Sequence, residues 1–144
     1  MLNGIPSILS PDLLKTLMEM GHGDELVLAD ANFPAASCAR RLLRADGHPI
    51  PALLDGILTL MPLDQYVDQP VLLMEKVAGD HVATPIWATY GTIIAERAGA
   101  DIEVGFVERF AFYERARAAY AIVATGERAQ YGNVILKKGV IREN

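Results

Sequence analysis

Six polar residues stand at the ends of apolar runs: His22, Asp30, Asn32, Arg109, Tyr131 and Asn133. The tightest grouping is MGHGDELVLADANFP, residues 20–34. His22 and the acidic pair Asp24-Glu25 precede the apolar run Leu26-Val27-Leu28-Ala29, and Asp30 and Asn32 follow it. Polar groups this close to a buried run are costly unless they are paired or used. The residue types suit proton transfer. A histidine titrates near neutrality and can give or take a proton, while a carboxylate and a guanidinium orient a polar ligand.

Each of these residues also has a purely structural role open to it. His22 can cap a helix. Asp30 can form an Asx turn before Pro34. Arg109 can pair on the surface with Glu108 or Glu114. Tyr131 and Asn133 can build a tight turn, with Asn133 in the left-handed region. Phe110, Tyr113 and Tyr120 read as core rather than as a stacking platform.

The elements that must hold these groups follow from periodicity. Ser10-Pro11-Asp12 opens a helix with an N-cap serine, proline at the first position and an acid at the positive end of the dipole. Leu13, Leu14, Leu17 and Met18 face inward at helical spacing, and Gly21 is the expected C-cap. Glu25 to Ala29 is a short strand, and Pro34 stiffens the loop after it. Arg40 to Ala45 is a second strand, turned at Asp46-Gly47.

A helix begins at Pro51, with Leu53, Leu54, Ile57, Leu58 and Met61 inward. Val71-Leu72-Leu73-Met74 has the continuous apolar pattern of a strand buried on both faces. A polar loop from Gly79 to Pro85 leads to a third helix marked by Ile86, Trp87, Tyr90, Ile93 and Ile94, closed by Gly99. Asp101 to Glu108 reads as a strand that places Arg109 at its carboxyl end, where open α/β sheets put ligand contacts. Phe110, Tyr113 and Arg117 share one side of the following helix. Tyr120 to Thr125 is a buried strand, and Val134-Ile135-Leu136 is the last. The fold class is therefore α/β: one three-layer domain over 1–144, with a mixed, mostly parallel sheet flanked by helices.

Composition narrows the function classes. The chain has 144 residues, 51% hydrophobic, enough for a real core, and its mean hydropathy of +0.21 implies either a buried sheet covered on both faces or apolar surface left for a partner subunit. Its net charge of −5 and scattered basic residues disfavour nucleic acid. No run is long and charge-free enough to span a membrane, and no basic, apolar leader opens the chain, so a cytoplasmic protein is expected. The single cysteine, Cys38, excludes an internal disulfide and a cysteine-built metal site.

Familiar motifs fail. Gly21-His22-Gly23 lacks the third glycine of a dinucleotide fingerprint, since Leu26 holds that place, and it precedes a strand rather than following one. No phosphate-cradling Gly-Lys-Ser/Thr loop exists. His22, His48 and His81 lack metal-ligand spacing, which leaves only His22 with Asp24 and Asp30 as a weak divalent site. Ser7, Ser10 and Ser37 lack a nucleophile elbow.

Four blocks in order resemble the fucose mutarotase and ribose pyranase family: MGHGDELVLADANFP, LLRADG at 42–47, RFAFYERA at 109–116 and ATGERAQYGNVILKKGV at 124–140. The likeness runs from about Ser10 to Val140. FYERA and the Tyr-Gly-Asn loop resemble the fucose branch. This resemblance implies a mutarotase that interconverts the α and β anomers of a free sugar, L-fucose, without metal or other cofactor. Ribose pyranase activity or non-catalytic sugar binding are the alternatives.

The resemblance also implies a ring-shaped homo-oligomer, a decamer or a related ring, with sites between adjacent subunits. His22 matches the proton donor, and Asp30, Arg109, Tyr131 and Asn133 match sugar-binding positions. Asn32, Tyr113 and Tyr120 are further candidates for sugar contact. Asn32 stands where many bacterial-type members have His; animal-type members resemble this chain there. An amide cannot act as a general acid or base near neutrality, so this departure bears on ring-size interconversion more than on anomer exchange. The general base stays open between Asp30, Tyr131 and water.

Overall fold

The structure, a computed structural model, describes residues 1–143; Asn144, the last residue of the domain expected over 1–144, lies outside them. The elements run α1 (Pro11–Glu19), β1 (Glu25–Ala29), α2 (Ala35–Cys38), β2 (Leu42–Ala45), α3 (Ile50–Leu60), β3 (Val71–Met74), α4 (Pro85–Arg97), β4 (Val104–Val107), α5 (Arg109–Ala118), β5 (Ala121–Thr125) and β6 (Val134–Lys137). The strands form one sheet in the order β2-β5-β1-β6-β3-β4. β2, β5 and β1 are parallel, as are β3 and β4, whereas β6 runs antiparallel between β1 and β3. The segment 126–133 is shorter than the dozen or so residues that a parallel crossover needs, so β6 must return antiparallel.

Helices cover both faces, which gives three layers. Leu26 and Leu28 of β1 pack with Leu13, Leu53, Ile57 and Tyr90 from α1, α3 and α4. Val27 and Ala29 point the other way, against Cys38 of α2 and Phe112 and Ala116 of α5. Strands buried on both faces have no need of polar alternation, which is why β1, β3 and β5 read as unbroken apolar runs. Among the described residues, no helix is long and apolar enough to cross a membrane.

Met18 is 78% exposed rather than on the inward face of α1, and three further local expectations need correction. First, α1 ends at Glu19 with Met20 as its C-cap, and Gly21 is not in the left-handed region. The Lys138 ammonium closes this helix instead, donating to the carbonyls of Leu17 at 2.7 Å and Met20 at 2.5 Å. The left-handed residue of the turn is Gly23, at φ 86°. Second, Phe110 is 66% exposed and not core. Glu108 caps α5, accepting from the N–H groups of Phe110 and Ala111, and the inward face then falls on Phe112 and Ala116. Third, the loop after β1 contains a one-turn helix, α2, whose Ala35 and Cys38 are buried.

Candidate functional site

The carboxyl ends of β1, β3 and β4 meet the amino end of β6 around an open cavity of about 280 Å³. It is smaller than the roughly 300–1,000 Å³ typical of drug-sized ligands. Asp30 and Asn32 enter from β1, Arg109 and Tyr113 from the start of α5, and Tyr131 and Asn133 from the approach to β6. Thus six of the eight sequence-predicted site residues converge. Phe33, Met74 and Val77 add apolar wall, and Asp80 adds a carboxylate.

Asp30 is held by one side chain and by the backbone of the turn that follows it. Its N–H donates to Asn133 Oδ1 at 2.7 Å. Its Oδ1 accepts the Asn32 N–H at 3.0 Å, and its carbonyl accepts the Phe33 N–H. The Asx turn is therefore real, and it serves the site by fixing the carboxylate. Burial pushes the Asp30 carboxyl above the ordinary aspartate range, partly offset by hydrogen bonds from the Asn32 and Phe33 backbones and Asn133, with Glu127 adding to the rise.

Tyr131, not Asn133, occupies the left-handed region, at φ 57°. Such a conformation costs an L-residue about 1–2 kcal/mol and marks a position held by its surroundings. The holding groups come from α4. Trp87 Nε1–H donates to the Tyr131 carbonyl at 2.9 Å, and the buried Tyr90 hydroxyl donates to the Gly132 carbonyl at 2.7 Å. Burial, with Glu127 and Asp30 nearby, drives the Tyr90 hydroxyl far above the normal tyrosine range, so it acts as a donor. Tyr131 in turn spans the cavity mouth. Its hydroxyl donates to Asp80 Oδ2 at 2.6 Å and accepts the Val77 N–H at 3.1 Å. That bond, with the Val82 N–H, holds the Asp80 carboxyl below its usual range.

Arg109 is free of the expected surface pairing. Glu108 is committed to capping α5, and Glu114 pairs with Arg117 at 2.7 Å. The guanidinium rests beside Phe110 and Tyr113 and reaches the Tyr113 hydroxyl at 3.4 Å. Its donors are open to the cavity.

His22 lies elsewhere. β1 separates it from Asp30, and five residues at strand rise put the ends roughly 16 Å apart. Its Nε2 sits 2.9 Å from Oδ1 of Asp64, which is buried although His22 is exposed. The expected helpers are engaged or distant: Asp24 accepts the Gly21 N–H at 2.8 Å, and Asp30 is at the far end. The weak divalent site of His22, Asp24 and Asp30 is therefore not assembled. Among the described residues, no cluster of three or more His, Cys, Asp or Glu is placed to hold a metal. Tyr120 also lies away from the cavity, beside the amino end of β1, with its hydroxyl on Glu19 and Arg41 over its ring.

Sequence reasoning singled out neither Asp64, the partner of His22, nor Asp80, Trp87 and Tyr90, which brace the cavity through Tyr131 and Gly132. Only Tyr90 and Trp87 carried a signal: a polar tip on the buried face of a helix needs a partner.

Residues 3–141 match the model of the RbsD / FucU transport protein family. The fucose mutarotase of Bos taurus is 53% identical over 146 residues, 97% of this chain and 94% of that one. The L-fucose mutarotase of Actinobacillus pleuropneumoniae is 52% identical over 140 residues, 97% of each. The crystal structure of the fucose mutarotase from Streptococcus pneumoniae in complex with L-fucose superposes with a TM-score of 0.91 at 56% identity, covering 98% of this chain and 100% of that one.

Proposed function

Because the chain belongs to the RbsD / FucU transport protein family, we propose that it is a cofactor-independent mutarotase that interconverts the α and β anomers of L-fucose. Relatives across its full length are fucose mutarotases, one of them solved with L-fucose. The observation within the chain that carries the assignment is the convergence of Asp30, Arg109, Tyr131 and Asn133 on one open, monosaccharide-sized cavity. Arg109 and Asp30 supply fixed donors and acceptors for neighbouring sugar hydroxyls. Phe33, Met74 and Val77 supply an apolar wall suited to the methyl group and the less polar face of a 6-deoxy sugar.

Mutarotation opens a hemiacetal and recloses it on the other face of the aldehyde. It needs a proton on the ring oxygen and one removed from the anomeric hydroxyl. Acid and base groups each contribute about 10²–10⁴-fold to such a reaction. The raised proton affinity of buried Asp30 suits it to accept the anomeric proton. The protein donor is His22, delivered by a second copy of the chain, because within one chain β1 holds it away from the cavity.

Joining the His22 end of one copy to the Asp30 end of the next is a head-to-tail contact, which closes into a ring when the rotation permits. Exposed Leu2, Met18 and Ile141, at 69%, 78% and 78%, leave apolar surface for such packing. The enzyme works in the cytoplasm as this homo-oligomer.

The test is anomer exchange of L-fucose followed by saturation-transfer NMR. His22→Ala and Asp30→Ala should each lose catalysis while staying oligomeric. Mixing the two after dissociation should restore about a quarter of the sites, since one interface in four then joins an intact His22 to an intact Asp30. Exchange at the wild-type rate in His22→Ala rejects the donor, and no recovery on mixing rejects the shared site. Tight L-fucose binding by the wild type without acceleration over spontaneous exchange would identify a binding protein instead.

A further inference from the structure

Glu127 is a buried acid at the head of the turn that carries Tyr131 and Asn133, and the proton transfer assigned to His22 and Asp30 does not use it. Its carboxylate gathers three backbone N–H groups. Oε1 accepts from Arg128 and Ala129, each at 2.9 Å, and Oε2 accepts from Ile50 at 3.1 Å, 77 residues away. Ile50 opens α3, and Pro49 before it offers no side-chain acceptor, so Glu127 caps that helix from outside. Both oxygens face donors. An amide cannot meet that demand, because its NH₂ would confront one set of N–H groups. Among the described residues no cation forms an ion pair with this carboxylate.

The same residue holds the loop after β1. Its carbonyl accepts the Ala31 N–H at 2.8 Å, one position past Asp30. Its own N–H donates to Thr125 Oγ1 at 3.1 Å, and that hydroxyl donates to the Ala29 carbonyl at 2.7 Å, one position before Asp30. Asp30 is thus bracketed by bonds that lead back to Glu127. Gly132 packs on the Glu127 side chain, where a Cβ would stand 3.2 Å from Cγ and 3.0 Å from the Ala129 carbonyl.

The phenols of Tyr90, Tyr113 and Tyr131 stand near Asp30, and Arg109 shares its cavity. Asp80 is bound by Tyr131, and on the α2 side Arg44 and Asp46 close on each other at 2.7 and 2.9 Å. Burial is the main cause of the raised proton affinity of Asp30, and the unpaired charge of Glu127 adds to it.

We propose that Glu127 is a positioning residue for the base: its main chain brackets Asp30 and its carboxylate ties the 127–133 turn to α3, so that Asp30, Tyr131 and Asn133 meet the sugar as one rigid set. The proposal rests on Asp30 being the proton acceptor assigned above. On ring opening the anomeric hydroxyl passes its proton to Asp30, and on closure Asp30 returns it. Between the two steps the negative charge of Glu127 favours the proton-bearing form of Asp30. Its three hydrogen bonds keep the turn from yielding when the sugar engages Tyr131 and Asn133.

The test uses Glu127→Gln in the full-length, assembled protein. The ¹³C signal of the Asp30 carboxyl, followed over pH, should titrate at lower pH in the variant than in the wild type. The kcat for L-fucose exchange should fall about 10-fold, part of the roughly 10²–10⁴-fold that a well-placed base contributes, and KM should rise as the turn loosens. A purely structural role would lower the melting temperature and leave kcat and KM of the folded protein unchanged. If Glu127→Gln does not fold, Glu127→Asp keeps the charge but is too short for all three N–H groups. It should raise KM while the Asp30 titration stays near that of the wild type. An unmoved Asp30 titration in Glu127→Gln, or kcat and KM both within about twofold of wild type in whichever variant folds, overturns the proposal. Wild-type exchange in Asp30→Ala would instead reject Asp30 as the base, and the carboxyl titration would still report on Glu127.

Discussion

The side-chain carbonyl of Asn133 accepts the backbone N–H of Asp30 at 2.7 Å, joining groups 103 residues apart. It ties the entry of β6 to the exit of β1, and so sets the floor of the cavity. Asn133→Ala leaves a buried donor without its partner, at a cost of about 1–3 kcal/mol. Urea denaturation should show that loss, and L-fucose binding should weaken with it. Unchanged stability would mean that the bond contributes nothing net.

Asp30 should trade stability for activity. Its carboxyl titrates above the ordinary aspartate range in the fold, chiefly through burial. The native state therefore holds that proton more tightly than the unfolded chain does. Its contribution to stability is fully present below the unfolded pKa. It is lost as pH rises through the folded value, and the penalty is complete at neutrality. Asp30→Asn keeps an acceptor for the Asn32 N–H and removes the charge. It should melt higher than wild type near pH 7, with the gap closing in acid, while L-fucose exchange falls sharply. A lower melting temperature at pH 7 would show that the carboxylate stabilises the fold.

Tyr131 separates backbone strain from hydroxyl chemistry. Its φ of 57° suits glycine better than any side chain. Tyr131→Gly should therefore be more stable than Tyr131→Ala by about 1–2 kcal/mol. Tyr131→Phe keeps the ring and loses the bonds to Asp80 and Val77. It should raise KM for L-fucose by loosening the 77–80 loop, with a stability cost of about 0.5–1.5 kcal/mol. A wild-type KM would exclude the hydroxyl from sugar positioning.

Chelation should leave exchange untouched. The chemistry assigned to His22 and Asp30 is proton transfer, and β1 holds those groups apart on one chain. Rates measured with and without EDTA should coincide. Loss of activity restored by a single divalent ion would require a metal mechanism.

The elements were legible because their signals are local. Ser10 and Pro11 announce α1, and the apolar run after Glu25 announces a strand buried on both faces. The short 126–133 segment was enough to demand an antiparallel last strand. Where a local signal misled, a distant group had taken over its task. Gly21 is not the cap of α1 because Lys138 reaches its last carbonyls from 118 and 121 residues away. Phe110 is not core because the Glu108 cap sets the phase of α5.

Read alone, the chain placed His22 and Asp30 at opposite ends of one strand and identified most of the residues that line the cavity, since residue type and strand direction are written within a dozen positions. Only the folded molecule could pair His22 with Asp64 across 42 residues, put Tyr131 rather than Asn133 in the left-handed region, and set Arg109 beside Tyr113 instead of in a surface ion pair. Those outcomes depend on β6 lying between β1 and β3. Strand order is decided by how the apolar faces pack together, and no short stretch of sequence encodes it.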